Sequence, residues 1–388
     1  MDKKSDFYER IIYKKNAVSC LRDILLEDFE GAKVLFLSSK QAYYKFGAFV
    51  QNELEGAKSD YKTKIIHSKF DKATIEKIVK QNKDCSLIVA LGGGGICDIA
   101  KIVSKILGAK YVMIASNPST TAYFSKNSFV SFDKVRRCFS CDYAHKILID
   151  EMIISSATEE FVLSGMNLIS SFWEMLFNFE FSRLMFKTDF DVNKLKLVLC
   201  KFKDNISYIN SFSNDSKLVL MDILVDLACV IDGISGFETS IFSFAFLLED
   251  LCAVKDCHFG TRCLIGQRIL FETYTNFLLQ KKLEVISMPD FDNLANNLRQ
   301  EKISAKEVKL KEIKKAYVSK RVFERLNMIK NQVFCYANIS KSEINVLNVS
   351  KQIKVDVDKC FVGLNLLPFL YDCPPMLSIM ASTGLMNF

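Results

Sequence analysis

The chain is 388 residues long, 49% hydrophobic and 25% charged, with a formal net charge of +7. That length predicts two domains, and the apolar content suffices for sizeable buried cores, which excludes a disordered, collagen-like or disulfide-stapled protein. The charge excess is mild and its basic runs are interleaved with acids, so no nucleic-acid partner is expected.

Taken in chain order, the opening Met1-Asp2-Lys3-Lys4-Ser5-Asp6 is charged and is followed by no apolar core, so no signal peptide and a cytoplasmic location are expected. Short apolar runs at 34–38, 64–67, 87–91, 111–115 and 146–150 have the length and β-branched content of strands. Helix-like stretches such as 41–55 and 74–81 separate several of them. This alternation predicts a largely parallel sheet covered on both faces. Residues 129–139 read as a hairpin ahead of the last strand, with the pair Cys138 and Cys141 spanning its end.

From about Thr158 the period changes, with Phe161, Leu168, Phe172 and Met175 recurring near helical spacing. No proline interrupts the chain between Pro118 and Pro289, so long helices can run there. The most apolar region, 218–248, is broken by Asp222, Asp226, Asp232 and Glu238, which makes it a buried helical core rather than a bilayer span. The run from Lys302 to Arg321 mixes eight basic residues with Glu301, Glu307 and Glu312 and reads as a solvated helix face. The expected fold class is α/β: a parallel-sheet dinucleotide-binding domain over residues 1–155, then an all-helical domain over residues 156–388.

Thirteen cysteines, mostly isolated as at Cys20, Cys85, Cys97 and Cys200, read as small buried hydrophobes in a reducing compartment. Cys138-x-x-Cys141 has no second pair at zinc spacing.

The most informative stretch is 87–101: an apolar run, then Gly92, Gly93, Gly94 and Gly95, then Asp98 and Lys101 in a helical pattern. It reads as a strand-turn-helix in which the glycines let the backbone turn tightly, and the helix start offers N–H groups and a positive dipole end to a pyrophosphate. Asp98 reads either as a cofactor-site residue or as a first-turn carboxylate favoured by the helix dipole, and Lys101 either as a motif residue or as part of a solvated face.

The spacing matches neither Gly-x-Gly-x-x-Gly nor Gly-x-x-x-x-Gly-Lys-Ser/Thr. It resembles Gly-Gly-Gly-x-x-x-Asp-x-x-Lys, the motif of the superfamily that holds iron-containing alcohol dehydrogenases, glycerol dehydrogenase, glycerol-1-phosphate dehydrogenase and dehydroquinate synthase. The segment Asn117-Pro118-Ser119-Thr120-Thr121-Ala122 is similar to the Pro-Thr-Thr-Ala loop of the same superfamily. The resemblance covers roughly residues 8–155 and is nearest to glycerol-1-phosphate dehydrogenase. It implies a nicotinamide cofactor, NAD or NADP, with Thr120 and Thr121 hydrogen-bonding the dinucleotide and Ser125 standing where the dehydrogenase branch has a substrate-contacting Asp. On dehydroquinate synthase spacing, Asn127-Ser128 stand at an Asp-Ser pair.

The same resemblance implies one divalent metal held by an Asp and two His. Counted from Ser164-Gly165 the Asp falls on Leu168, and counted back from Leu168-Ile169-Ser170 it falls on Asn167. The following His positions fall on Thr239 and Ser243, and the last on His258. Only His258 keeps a metal-ligating side chain, and its alternative reading is a partly buried ring satisfied by a backbone carbonyl. Ser243 joins Ser125 as a substrate-side candidate. With His67 and His145 in the N-terminal α/β pattern, no second imidazole is expected near His258, and a family-type metal is doubtful.

The resemblance thus implies hydride transfer to or from a small polyol or polyol phosphate. The alternative is a non-catalytic nucleotide-binding relative, and a weaker one is a dehydroquinate-synthase-like lyase. The expected partners are a small-molecule substrate or nucleotide and no membrane, with a homo-oligomer left open.

Overall fold

The computed structural model describes residues 8–67, 71–132, 135–188, 191–232, 240–251, 253–254, 257–280, 283, 320–344, 355–370 and 375–381. In chain order the elements are β1 (Ile11–Lys14), α1 (Cys20–Asp28), β2 (Lys33–Ser39), α2 (Lys40–Gly56), β3 (Asp60–Ile66), α3 (Lys72–Gln81), β4 (Leu87–Gly92), α4 (Gly94–Leu107), β5 (Lys110–Ala115), β6 (Asn127–Phe132), β7 (Val135–Ser140) and β8 (Lys146–Asp150). Helices follow: α5 (Glu151–Ser155), α6 (Glu159–Ser170), α7 (Phe172–Phe186), α8 (Asn193–Ile209), α9 (Asn214–Asp232), α10 (Ser240–Asp250), α11 (Phe259–Leu278), α12 (Lys320–Ile344), α13 (Val357–Leu370) and α14 (Pro375–Ala381).

Six strands form one sheet in the order β1-β8-β5-β4-β2-β3, every neighbouring pair parallel. The central strands are apolar runs because both faces are covered: Leu87 to Leu91 in β4 are all fully buried. At about 1.5–3 kcal/mol for each large apolar side chain taken from water, such strands supply much of the driving force. Local chemistry sets the helix starts. Ser39 Oγ accepts from the Ala42 N–H at 3.3 Å to cap α2, and Asp71 Oδ1 accepts from the Thr74 N–H at 2.9 Å to cap α3. α4 ends at Gly108, whose φ of +67° is the left-handed cap that glycine adopts without strain.

The fold class is as the sequence implies: a parallel sheet at the N-terminal end and helices after it. Two details differ: β1 carries no sequence signal beyond four residues, and β3 begins four residues before the predicted run. β6 with β7 forms a two-stranded sheet where residues 129–139 read as a hairpin. The cysteines are free where described, but Cys200 is exposed and Cys20 only partly buried, because both lie on outward-facing positions of surface helices. Cys85, Cys97, Cys141, Cys263 and Cys360 are buried as expected.

Contacts divide the chain into two compact units. The first comprises Met1–Phe132, Arg137–Met166 and Lys201–Gly233, and contains the six-stranded sheet. Asp150, at the end of β8, fastens it: one carboxylate oxygen accepts from Val18 N at 3.1 Å and the other from Met152 N at 3.0 Å.

The second unit comprises Asp133–Arg136, Asn167–Cys200 and Ile234–Phe388. Its α7 is apolar around most of its circumference and correspondingly buried, with Phe177 stacked on Tyr274 and edge-on to Phe271 of α11. A polar seam runs through this packing: Tyr274 Oη and Asn178 Nδ2 both donate to Glu174 Oε1, and Gln267 Nε2 donates to the carbonyls of Ser170 and Ser171. The basic stretch 302–319 lies outside the described residues. No helix among the described residues is long and apolar enough to cross a membrane.

Candidate functional site

The chain leaves β2 toward β3 on one side and β4 toward β5 on the other, although β2 and β4 are neighbours. A crevice therefore opens between their carboxyl ends, the place where open parallel sheets bind ligands. Ser38 and Ser39 end one strand, and Gly92 and Gly93 end the other. Ser38 is fully buried, its hydroxyl donating to the Leu91 carbonyl at 3.0 Å across the two strands.

The turn is tight, β4 ending at Gly92 and α4 starting at Gly94, and its glycines serve close approach rather than positive torsions. Gly31 and Gly108 are the described glycines with positive φ; Gly93, the N-cap of α4, has φ −90°. A Cβ on Gly92 would lie 2.6 Å from Ile96 Cγ1, one on Gly93 3.4 Å from Asn117 Nδ2, and one on Gly94 3.1 Å from Thr120 Oγ1. The Gly93 carbonyl accepts from Ile96 N and Cys97 N, so the first N–H groups of α4, at Gly94 and Gly95, have no partner within the helix. They are the groups that an anion at a helix start engages.

The loop after β5 is held by its own polar groups. Ser116 N donates to the Gly92 carbonyl at 3.2 Å, Asn117 Nδ2 to Ser116 Oγ at 2.9 Å, and Ser119 Oγ to Asn117 Oδ1 at 2.5 Å. Thr120 Oγ1 accepts from Ala122 N at 3.0 Å, and buried Tyr123 donates its hydroxyl proton to the Asn117 carbonyl at 3.1 Å. Gly93, Gly94, Asn117 and Thr120 thus come together beyond the carboxyl ends of β4 and β5. Sequence reasoning passed over Asn117 and Tyr123; their position beside Pro118 was the available signal. Thr121 follows in the same partly buried loop.

Asp98 and Lys101 sit differently from the expectation. Asp98 lies beyond the first turn of α4, 3.7 Å from the Lys101 ammonium. Lys101 is fully buried rather than on a solvated face, and donates to the Asn127 carbonyl at 2.7 Å. Ser128 Oγ donates to the Asp98 carbonyl at 2.9 Å. The β6–β7 sheet covers this part of α4, so the pair fastens one to the other. Ser125 Oγ is engaged in a local turn, accepting from Asn127 N at 3.0 Å. Burial pushes the Cys97 thiol up to about 11, which removes it as a nucleophile.

In the second unit, the Asn167 side chain donates to Thr261 Oγ1 at 3.2 Å. Thr261 lies in the first turn of α11, whose N-cap is His258, and its backbone N–H donates to the His258 carbonyl at 3.1 Å. Of the two residues that spacing left open, Asn167 therefore faces the His258 end of α11, while Leu168 is wholly buried in the apolar core. Arg262 donates to the Cys257 carbonyl at 2.8 Å and to Glu249 Oε2 at 2.7 Å, and Arg136 reaches the same carboxylate oxygen at 2.9 Å. Burial first and the Arg262 charge second pull the His258 pKa below its usual value, leaving a neutral ring at neutral pH. Ser243 is buried in α10, and Thr239 lies outside the described residues. His145 is placed in the first unit, 2.8 Å from Asp28. Among the described residues no three His, Cys, Asp or Glu side chains group together as a metal set would require.

The family model for iron-containing alcohol dehydrogenases matches residues 12–158. Over these residues the chain is similar to that family. It is 26% identical over 205 residues to glycerol-1-phosphate dehydrogenase [NAD(P)+] of Methanosphaera stadtmanae, covering 50% of this chain and 57% of that protein. It is 27% identical over 151 residues to the enzyme of the same name from Methanoregula boonei, covering 37% of this chain and 42% of that one. The matched segments thus span about half the length of these relatives. Among solved structures, an iron-containing alcohol dehydrogenase of Thermotoga maritima superposes with a TM-score of 0.61 at 12% identity, covering 97% and 98% of the two chains. A probable glycerol dehydrogenase of Sinorhizobium meliloti gives 0.58 at 12% identity, covering 97% of each chain. These likenesses establish that the fold is shared.

Proposed function

We propose that the chain is an NAD(P)-dependent dehydrogenase of a small polyol or polyol phosphate. The observation that carries this reading is the close approach of Gly94 to Thr120 at the carboxyl end of β4, beside the point where the strand order diverges. In this reading Gly92, Gly93, Gly94 and Gly95 admit the pyrophosphate to the start of α4, and Thr120 and Thr121 hydrogen-bond the dinucleotide. The names of the relatives support the substrate class.

A bound nicotinamide supplies the hydride acceptor or donor. The chain's own residues in the first unit bind and orient it, and the neutral imidazole of His258 in the second unit is the proton-handling candidate. Ser125 and Ser243 are the substrate-side candidates. The described residues do not make a family-type metal set: they offer one imidazole at His258, an amide at Asn167 already bonded to Thr261, and a buried hydroxyl at Ser243.

The Asn167 amide, standing where a carboxylate would bind a metal, also favours a second reading, a dinucleotide-binding protein without catalysis. The relatives give that reading no support. Absorbance at the reduced-nicotinamide band, followed with glycerol phosphates and with glycerol under NAD and NADP, tests the first. Turnover lost in His258→Ala establishes it, and a protein that binds dinucleotide but turns over none of these substrates overturns it in favour of the second.

A further inference from the structure

Gly165 lies in α6, and a Cβ built on it would stand 2.0 Å from the Pro118 carbonyl oxygen and 3.2 Å from its carbon, with Leu220 Cδ2 at 3.1 Å. The Leu220 methyl can rotate away. A backbone carbonyl cannot, so ordinary van der Waals separation would need the loop or the helix to move by more than about 1 Å. Gly56 makes the contrast, since its added Cβ would meet only the movable end of Arg22. Pro118 sits between Asn117 and Ser119, in the loop that places Thr120 against Gly94. That loop is also held by the Tyr123 hydroxyl on the Asn117 carbonyl.

We infer that Gly165 is a positioning residue: by letting the α6 backbone rest on Pro118, it sets how closely the Asn117–Thr121 loop approaches the glycines of α4, and thereby the affinity for dinucleotide. The inference rests on the dinucleotide reading above. Gly165 touches no ligand in it, and acts only through the loop. Misplacing a binding group by about 1 Å is enough to lose on the order of 100-fold in the function it supports.

The experiment titrates NADH and NADPH into the wild-type protein, Gly165→Ala, Tyr123→Phe and, as a control, Gly266→Ala, whose added Cβ meets the Phe244 ring at 3.1 Å in the second unit. Backbone hydrogen exchange of residues 116–122 is followed in parallel. Gly165→Ala is expected to raise the dissociation constant at least tenfold and to speed exchange across the loop. Tyr123→Phe, a milder change that loosens the same loop at Asn117, shifts both readouts in the same direction and serves if Gly165→Ala does not fold. Gly266→Ala lowers the melting temperature but leaves affinity within about twofold. Unchanged affinity and exchange in Gly165→Ala, or in Tyr123→Phe where only it folds, overturns the inference. If the wild-type protein binds neither dinucleotide, the functional reading fails instead, and the exchange rates alone still decide whether Gly165 holds the loop.

Discussion

The Asn167 amide donates to Thr261 Oγ1 at 3.2 Å, inside the first turn of the helix that His258 caps. Both groups are buried, so each satisfies the other where water cannot. Replacing Asn167 by Leu leaves the Thr261 hydroxyl without this partner and is expected to destabilise the protein by about 1–3 kcal/mol. Denaturant unfolding measures it, and Asn167→Asp, which keeps an acceptor for the Thr261 hydroxyl, is expected to lose less.

Lys101 is a fully buried ammonium held by the Asn127 carbonyl and Asp98. Lys101→Met fills the same space but strands a carboxylate and a carbonyl, and the expected loss is roughly 2–4 kcal/mol, below the full figure for a buried pair because Asp98 keeps some contact with solvent. The β6–β7 sheet should become the first region to exchange its amide hydrogens.

His258 gives a pH dependence with a definite sign. Its folded pKa lies below the unfolded value of about 6.5, so the unfolded chain takes up the proton first as pH falls. Its contribution to stability is complete above pH 6.5 and is lost as pH falls through the folded pKa. Unfolding curves at pH 7.5 and pH 5.5 are expected to differ less in His258→Gln than in the wild-type protein.

Elemental analysis of protein grown with added zinc, iron and nickel is expected to find no stoichiometric metal that depends on His258, because one imidazole and an amide do not hold a divalent ion against water. One metal per chain, lost in His258→Ala, contradicts this and requires ligands among the residues around 233–239 or 255–256.

The strands were legible because Leu87 to Leu91 and Tyr111 to Ala115 are short uninterrupted apolar runs bounded by turn residues, the pattern of a strand in a doubly covered sheet. β1 was not, since Ile11 to Lys14 pairs with β8 from 132 or more residues away and has no local pattern of its own. Lys101 was left open between two readings for a related reason: a lysine on a helix can read as solvated until another part of the chain covers it. Spacing left both Asn167 and Leu168 open, and only the folded chain shows that it is the Asn167 side chain that reaches Thr261. Gly165 gave no sequence signal beyond its place after Ser164, because what matters there is the approach of a carbonyl from Pro118.

The proposed dinucleotide site lies where Gly94 approaches Thr120. Calorimetric titration of NAD and NADP into wild-type protein and Gly94→Val decides whether it exists. A branched side chain there would press into Thr120, 3.1 Å from where its Cβ would stand, and would occupy the approach to the start of α4. The predicted result is single-site binding of at least one dinucleotide by the wild-type protein and none by Gly94→Val. Failure of the wild-type protein to bind either at concentrations on the order of millimolar, where only a very weak site escapes detection, or equal binding by Gly94→Val, contradicts it.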